Sequence, residues 1–255
     1  MLKSRLCIAF FAFAVGCAPA QKPLTDYVNP MLGTATLWDS VDLGFKPTKR
    51  TWGAEVFPGS SLPNAMVQVS PVTKFHSGAG YQYEDSVIYG FTHTNKGHWN
   101  LCHIPLLPVT GTPTPGDYCS PFSHERESAA PGYYQVFLDR YGVDAQLSST
   151  LRCAFHKYTY PAGAAASLLA DLQRSNEHVR AWDIRKEGDN VFAGWQQTGE
   201  KMYFYAVANR PVTGIEPVVE GDREVRIVRF GEGDGALELR ASAARTPTSS
   251  CSATP

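Results

Sequence analysis

Short runs of β-branched and aromatic residues, each followed by turn residues, recur through the second half of this chain. They lie at 134–138, 143–151, 153–160, 178–185, 191–197, 202–208, 224–230 and 236–240. Short strands at such turn-marked spacing are typical of a β-sandwich or a barrel. The 12 Tyr, 13 Phe, 22 Gly and 18 Pro also favour pleated, turn-rich structure over helices. The alanine-rich run 164–172 stays open between helix and strand, because so short an apolar run has no diagnostic period.

Polar residues concentrate in the segment 89–109, which holds three of the seven histidines, a Trp and a Lys. The segment ends in an apolar run, 104–109, that contains Pro105 and Pro108. Since proline donates no backbone hydrogen bond, we expect an edge strand or an extended arm here. The polar part is therefore a candidate ligand-facing loop whose far end is anchored by apolar residues.

The first 20 residues have the pattern of a secretory signal peptide: a basic start, an apolar core at 6–15 and small residues at 18 and 20. The core is too short for a stable membrane anchor. Residues 14–17 also resemble a bacterial lipobox, in which the signal ends at residue 16 and Cys17 carries a lipid. In both versions we expect a secreted or periplasmic chain, attached to a membrane only through Cys17 in the second.

The net charge limits which partners we expect, and the number and spacing of the cysteines limit the expected disulfides and metal sites. A net charge of −1 provides no basic field for nucleic acid, so we expect no nucleic-acid partner. The body of the chain has Cys102, Cys119 and Cys153, an odd number that does not predict a disulfide framework. Pairing of Cys102 with Cys119 and two free thiols both stay open. No Cys-x-x-Cys spacing occurs, and we predict no metal site.

Seven ordered segments resemble the N-terminal domain of glycoside hydrolase family 92. They are Tyr-Val-Asn-Pro-Met-Leu-Gly-Thr (27–34), Phe-Pro-Gly (57–59), Met-Val-Gln-Val-Ser-Pro (66–71), Gly-Tyr-Gln-Tyr (80–83), Tyr-Gly-Phe-Thr-His-Thr (89–94), Phe-Ser-His-Glu-Arg-Glu-Ser-Ala-Ala-Pro-Gly-Tyr-Tyr (122–134) and Leu-Arg-Cys-Ala-Phe-His-Lys-Tyr (151–158). The resemblance implies an all-β, galactose-mutarotase-like sandwich (a supersandwich) with few short helices, at residues 21–240. Residues 241–255 have no hydrophobic period and predict a disordered or out-of-frame tail.

The resemblance also implies an exported, calcium-dependent, inverting exo-α-mannosidase acting on mannose-containing glycans. In that family a helical (α/α) barrel follows the sandwich and supplies the general acid, the general base and most calcium ligands. We expect this chain to lack that barrel, so no catalytic residue is predicted here and no calcium is expected for this part. Whether the chain is itself an enzyme therefore stays open. A free-standing carbohydrate-binding module is the alternative.

Within the polar loop, Trp99 is the first candidate for substrate binding, because an indole can stack on the apolar face of a pyranose. His98 and Asn95 can hydrogen-bond sugar hydroxyls. The loop 95–100 differs from the Ser-Gly-rich loop of many family members, so no linkage preference is implied. Glu55 and Asp85 follow glycine-containing turns, and either carboxylate could face a ligand, although turn capping at the surface is the commoner role.

Two further groupings are weaker candidates. His93, His98, Cys102 and His103 lack the spacing and context of a zinc site. The segment 124–127 has alternating charges and predicts a surface network that braces its loop. An epimerase would need an acid and a base in one cleft, and adjacent strand residues such as His124 and Glu125 point to opposite faces.

Overall fold

The computed structural model describes residues 22–36, 55–96, 99–233 and 235–245. The predicted leader at 1–20 with Cys17, the candidate His98 and residues 246–255 of the predicted tail lie outside these ranges. Within them, no helix has the length and apolar character needed to cross a bilayer.

The described residues form mainly β-strands. Two short 3-10 helices span Leu24–Tyr27 and His124–Arg126. The strands are β1 (Ser70–Val72), β2 (Val87–Ile88), β3 (Gly90–Thr92), β4 (Asn95–Lys96), β5 (Trp99–Asn100), β6 (Leu106–Val109), β7 (Ser120–Pro121), β8 (Glu127–Ala130), β9 (Tyr133–Leu138), β10 (Val143–Ser149), β11 (Cys153–Thr159), β12 (Ser167–Ala170), β13 (Ala181–Gly188), β14 (Val191–Gln197), β15 (Lys201–Ala208), β16 (Val212–Glu220), β17 (Arg223–Phe230) and β18 (Leu237–Ala244).

The strands form two large antiparallel sheets. One has eight strands in the order β13-β14-β15-β18-β11-β10-β9-β8, and the other has six in the order β1-β3-β6-β12-β17-β16. Two small ladders, β2–β7 and β4–β5, lie outside them. The all-β sandwich with few short helices, predicted from the sequence, is confirmed.

The core lies between the two large sheets. In β9, β10 and β11 buried residues alternate with more exposed ones, so each strand turns one face to the core. Val136, Leu147 and Tyr158 from these strands belong to one cluster with Leu168 and Ile227 of the six-stranded sheet. Burial of this apolar surface is the main favourable contribution to folding.

The eight predicted runs correspond to β9, β10, β11, β13, β14, β15, β17 and β18. The open run 164–172 contains strand β12. Strand β16 was not predicted, because Gly214 and Pro217 interrupt its pattern. It is the last strand of the six-stranded sheet, where proline is tolerated.

Strand β6 corrects one expectation. It lies between β3 and β12 instead of at a sheet edge. Its ladder with β3 has only one residue pair, Phe91 with Leu106, whereas Pro108 pairs with Leu168 on the other side. Pro108 therefore has a paired strand on one side only. Its missing N–H breaks no hydrogen bond to a second strand, so the proline is tolerated in a strand that lies inside the sheet.

The eight-stranded sheet extends four residues past residue 240, the predicted end of the domain. Strand β18 continues to Ala244 and pairs with both β11 and β15. Ala241 and Ala243 are buried there. Small side chains fit this position in the middle of the sheet, and alanine carries too weak a hydrophobic signal to reveal it.

Candidate functional site

The predicted polar loop forms a short hairpin from β4 and β5, in which Lys96 pairs with Trp99 and Asn95 with Asn100. The base of this hairpin is fixed by buried Asn100. Its backbone N–H donates to the carbonyl of Gly78 at 2.9 Å, and its Oδ1 accepts from the N–H of Cys102 at 2.7 Å. Trp99 keeps 39% of its surface exposed. The hairpin therefore presents an indole to solvent from a fixed base.

Asn95 is half-buried and lies on β4, the strand that pairs with the Trp99 strand β5. Its Nδ2 donates to the carbonyl of Gln68 at 3.4 Å, a long contact. Its Oδ1 is buried and has no hydrogen-bond partner among the described residues. A buried carbonyl oxygen without a partner is costly, so a hydroxyl donor from a ligand would be stabilising at this point.

The chain leaves the hairpin through a strained corner, Cys102–Ile104. Cys102 has a φ of 54° and Ile104 a φ of 56°. A β-branched residue rarely adopts this region, and such a conformation costs about 1–3 kcal/mol. The corner is held by Gln196, whose Oε1 accepts from the N–H of Ile104 at 2.9 Å. Strain of this kind is common next to binding sites.

The free thiols settle the open question on the cysteines. Cys102 and Cys119 are both unpaired, with Cys102 buried inside the corner. Burial raises the pKa of the Cys102 thiol well above its ordinary value. This cysteine therefore packs as a small apolar side chain rather than as a nucleophile.

His103, in the same corner, is also buried. Its Nδ1 lies 2.9 Å from Thr94 Oγ1, and its Nε2 lies 3.1 Å from Thr198 Oγ1. Burial lowers the pKa of His103, although nearby Glu177 acts in the opposite direction. The imidazole is therefore a packed, hydrogen-bonded group that fixes the corner.

His93 hydrogen-bonds in the core behind the hairpin. Its Nδ1 lies 2.8 Å from the carbonyl oxygen of Ile104, and its Nε2 lies 3.0 Å from Nε2 of His156. Burial lowers the pKa of His93 to about 4, and burial together with His93 lowers the pKa of His156. Both rings are therefore neutral near pH 7.

A polar cleft of about 690 Å³ opens next to the hairpin, between β13 and β17. Asn176 connects the two features, because its Nδ2 donates to the carbonyl of Asn100 at 2.5 Å and its Oδ1 accepts from the N–H of His76 at 2.6 Å. His76 lines the cleft. Its other walls include Arg174, Glu177, Arg180, Trp182 and Asp183. The hairpin and the cleft together are the candidate site.

The structure does not bring the two predicted carboxylates into this cleft. Asp85 is half-buried and its Oδ2 accepts from Thr73 Oγ1 at 2.7 Å, which is a local turn contact. Glu55 is exposed and lines a different groove with Val56, Ala130 and Pro131. His98 lies outside the described residues.

Sequence reasoning missed a buried carboxylate at Glu127. Its side chain is 2% exposed and accepts hydrogen bonds from Tyr81 at 2.9 Å and from Tyr134 at 2.6 Å. His124 Nδ1 lies 2.5 Å from the same carboxylate, and His124 Nε2 lies 2.7 Å from the carbonyl of Tyr83. The ring is thus held between a carboxylate and a backbone carbonyl.

The expectation of a surface network at 124–127 is therefore wrong for Glu127. The alternating charges of 124–127 gave no sign that Glu127 is buried, because its partners Tyr81 and Tyr134 lie on other segments. Because Glu127 is fully engaged by protein donors, this cluster is a structural element and offers no free acid for catalysis.

No group of three or more His, Cys, Asp or Glu side chains in the described parts of the chain could hold a metal ion. Calcium is bound by six to eight oxygen ligands, mostly from carboxylates and carbonyls. The described residues do not fit a calcium site, and no chemical step is assigned to a metal here.

The chain is an antiparallel two-sheet sandwich with a polar hairpin and a neighbouring polar cleft. The model of the glycosyl hydrolase family 92 N-terminal domain matches residues 27–243. The chain belongs to this family, as its N-terminal domain.

Solved structures agree on the fold. The family GH92 α-mannosidase BT3965 from Bacteroides thetaiotaomicron, solved in complex with mannoimidazole, is 24% identical over 89% of this chain, with a TM-score of 0.75. The inverting mannosidase BT2199 from the same organism is 22% identical over 89%, with a TM-score of 0.70. The GH92 glycosyl hydrolase ccman5 is 23% identical over 86%, with a TM-score of 0.68.

This chain spans about a third of the length of these structures, 33%, 32% and 32% respectively. Among proteins of curated function, none matches the sequence significantly.

Proposed function

We propose that this chain is the sandwich module of an exported α-mannosidase of family 92, and that its β4–β5 hairpin forms one wall of a pocket for mannose-containing glycans. The observation that carries the proposal is Trp99, an exposed indole on a hairpin whose base is fixed by buried Asn100. The apolar face of a pyranose stacks on such a ring.

The neighbouring polar groups support the same ligand class. Asn95 Oδ1 has no partner among the described residues and would accept a sugar hydroxyl. The cleft beyond the hairpin is lined by Arg174, Glu177 and Asp183, which supply charged donors and acceptors. Sugar hydroxyls both donate and accept, so a mixed lining of this kind suits them.

We assign no catalysis to the chain alone. An inverting glycosidase needs two carboxyl groups about 6.5–9.5 Å apart, with room for a water molecule between them. In the proposal that pair belongs to the helical barrel of the complete enzyme, as does calcium. Export follows from the signal pattern at 1–20, with lipid attachment at Cys17 as its second version.

A free-standing carbohydrate-binding module is the second candidate. The two differ in what they require of the surface, because a module that works alone should cover its apolar side chains. Leu62, Met66 and Leu151 are 40%, 51% and 54% exposed, and the N–H of Met66 bonds the carbonyl of Leu151. An apolar area like this one favours a packed partner domain.

The test is glycan binding by the purified full chain. We expect weak, millimolar binding of α-mannobiose, reduced about tenfold or more in Trp99→Ala, because the stacking surface is lost. Trp195→Ala is the matched control, since Trp195 lies on β14 and packs against Lys201. Equal affinity of wild type and Trp99→Ala would refute the role of the hairpin.

A second measurement tests the absence of catalysis. Incubation of the chain with an aryl α-mannoside and calcium should release no phenol above the protein-free rate. Turnover that survives purification to homogeneity would contradict the assignment of both carboxyl groups to a partner domain.

A further inference from the structure

The outer face of the eight-stranded sheet carries an open pocket of about 590 Å³, and no residue of the hairpin lines it. Its centre is a square of four side chains on two neighbouring strands. Phe155 on β11 pairs with Arg240 on β18, and Lys157 pairs with Glu238 in the same ladder. Residues directly opposite in such a ladder have Cβ atoms about 4.5–5.5 Å apart. We call the pocket centred on these four side chains the outer-face pocket.

The charged members of the outer-face pocket are unpaired. The ammonium of Lys157, the carboxylate of Glu238 and the guanidinium of Arg240 all belong to exposed residues. None of these three groups forms a hydrogen bond or an ion pair with any residue that the structure describes. Opposite charges that face each other across a ladder ordinarily attract, yet Lys157 and Glu238 stay apart. Two donors and one acceptor are therefore free at the same place.

Phe155 is the apolar member of the square and is 38% exposed. Its direct neighbours across the sheet are Ser148 on one side and Arg240 on the other. The next row holds Gln146 beside Lys157. A phenyl ring surrounded by polar side chains keeps apolar surface in water unless a ligand covers it.

We propose that the outer-face pocket is a second carbohydrate site, which binds a neutral hexose unit of an oligosaccharide. The C–H face of the pyranose stacks on Phe155. Vicinal hydroxyls donate to the carboxylate of Glu238 and accept from Lys157 and Arg240 through charge-assisted hydrogen bonds. Gln146 extends the row of polar contacts toward a second sugar unit.

A protein partner suits this surface less well. The buried centre of a protein interface is depleted in charged residues, whereas three of the four central groups here carry charge. Covering them with a protein surface would leave charges desolvated without partners, unless each met a matching group. A sugar ring supplies donors and acceptors on its own rim.

The outer-face pocket is independent of the hairpin site. No residue of the hairpin lines the outer-face pocket, and Phe155 lies on the face of β11 opposite to buried Ala154 and His156. Loss of one site therefore leaves the other intact, and the two proposals fail or succeed separately.

The experiment follows amide chemical shifts of the ¹⁵N-labelled full chain during titration with trisaccharides of mannose, glucose and galactose. We expect saturable shifts at Phe155 and Arg240 with at least one of them. Phe155→Ala and Glu238→Gln should each weaken this binding about tenfold, because they remove the stacking surface and the acceptor. Both residues are exposed, so neither substitution disturbs the core.

Glu232→Gln, which replaces an exposed acid in a neighbouring loop, is the matched control and should leave the affinity unchanged. Trp99→Ala should leave the shifts at Phe155 intact and abolish only those at the hairpin. No saturable shift at Phe155 or Arg240 with any trisaccharide would overturn the proposal. So would full affinity in Phe155→Ala.

Discussion

At the scale of single residues, the contact between His93 and His156 fixes where the protons are. His93 donates from Nδ1 to the carbonyl of Ile104, so its Nε2 is an acceptor. His156 must then donate from Nε2, and its Nδ1 accepts from the hydroxyl of Tyr158 at 2.7 Å. A second proton on His93 would place two N–H groups face to face at Nε2, which acts together with burial to keep the rings neutral.

This arrangement predicts a loss of stability in acid. Burial lowers the pKa of His93 from 6.5 to about 4, so between these values the unfolded chain binds the proton and the folded chain does not. Stability is complete above pH 6.5 and falls as the pH drops toward 4, by up to about 1.4 kcal/mol per pH unit for each such histidine. Urea unfolding as a function of pH measures the slope.

His93→Gln should flatten that slope by about one proton, because it removes one of the titrating groups. Exposed His178, substituted in the same way, is the matched control. A slope unchanged in His93→Gln would show that the acid sensitivity has another source.

Glu127 carries a second prediction at this scale. Glu127→Gln can replace Oε1, which accepts from the hydroxyls of both Tyr81 and Tyr134, by a donor that faces them. It also leaves His124 without its carboxylate partner. We expect a loss of about 1–3 kcal/mol, measured by urea unfolding. Glu125→Gln, two residues away and exposed, should change stability by less than about 0.5 kcal/mol.

Some residue-level features could be predicted from the sequence and others could not. Trp99 on a polar, glycine-flanked loop was a recognisable candidate, and the structure does expose it. The burial of Glu127 was not recognisable, because its partner Tyr81 lies 46 positions earlier. Local spacing carries no information on a contact that only the packed sandwich creates.

At the scale of strands, turn residues allowed the prediction of every strand of the eight-stranded sheet except β8. The six-stranded sheet was harder, since β1, β3, β6 and β12 have only three or four residues each. A strand of that length, buried on both faces, shows no alternation of polar and apolar residues. The order of strands follows from long-range pairing, for which a single sequence holds no signal.

Gly194 in β14 provides a prediction on strand packing. A Cβ at this position would lie 2.1 Å from the carbonyl oxygen of Asp183 and 2.9 Å from Cα of Ile184. Both atoms belong to the backbone of β13, so the clash cannot be relieved by turning a side chain. Gly194→Ala should therefore cost about 3 kcal/mol or more in the free energy of unfolding.

Gly199→Ala is the control for this variant, since nothing lies within 4 Å of the added carbon. Comparison of the two urea midpoints isolates the close approach of β13 and β14 from the general effect of replacing glycine. Equal midpoints would mean that the two strands can separate locally at no cost.

At the scale of the whole molecule, the exposed side chains of Leu62, Met66 and Leu151 predict self-association. An uncovered apolar area of this kind brings copies together when no partner domain covers it. We expect the average mass of the full chain to rise with concentration in sedimentation velocity. Leu151→Glu should suppress that rise, because it places a charge in the contact.

Val219→Glu is the matched control, since Val219 is even more exposed than Leu151, at 63% against 54%, but lies on β16. A wild-type chain that stays monomeric at high concentration would argue for the free-standing module instead of the packed one.

The place of β18 has a consequence for synthesis on the ribosome. This strand is the last described one in chain order, yet it lies between β11 and β15 in the middle of the eight-stranded sheet. Until its residues emerge, a nascent chain holds two half-sheets, each with an unsatisfied edge open to wrong pairing. The large sheet therefore closes late and all at once, and a peptide released before Leu237 would be a substrate for chaperones and proteases rather than a smaller stable domain.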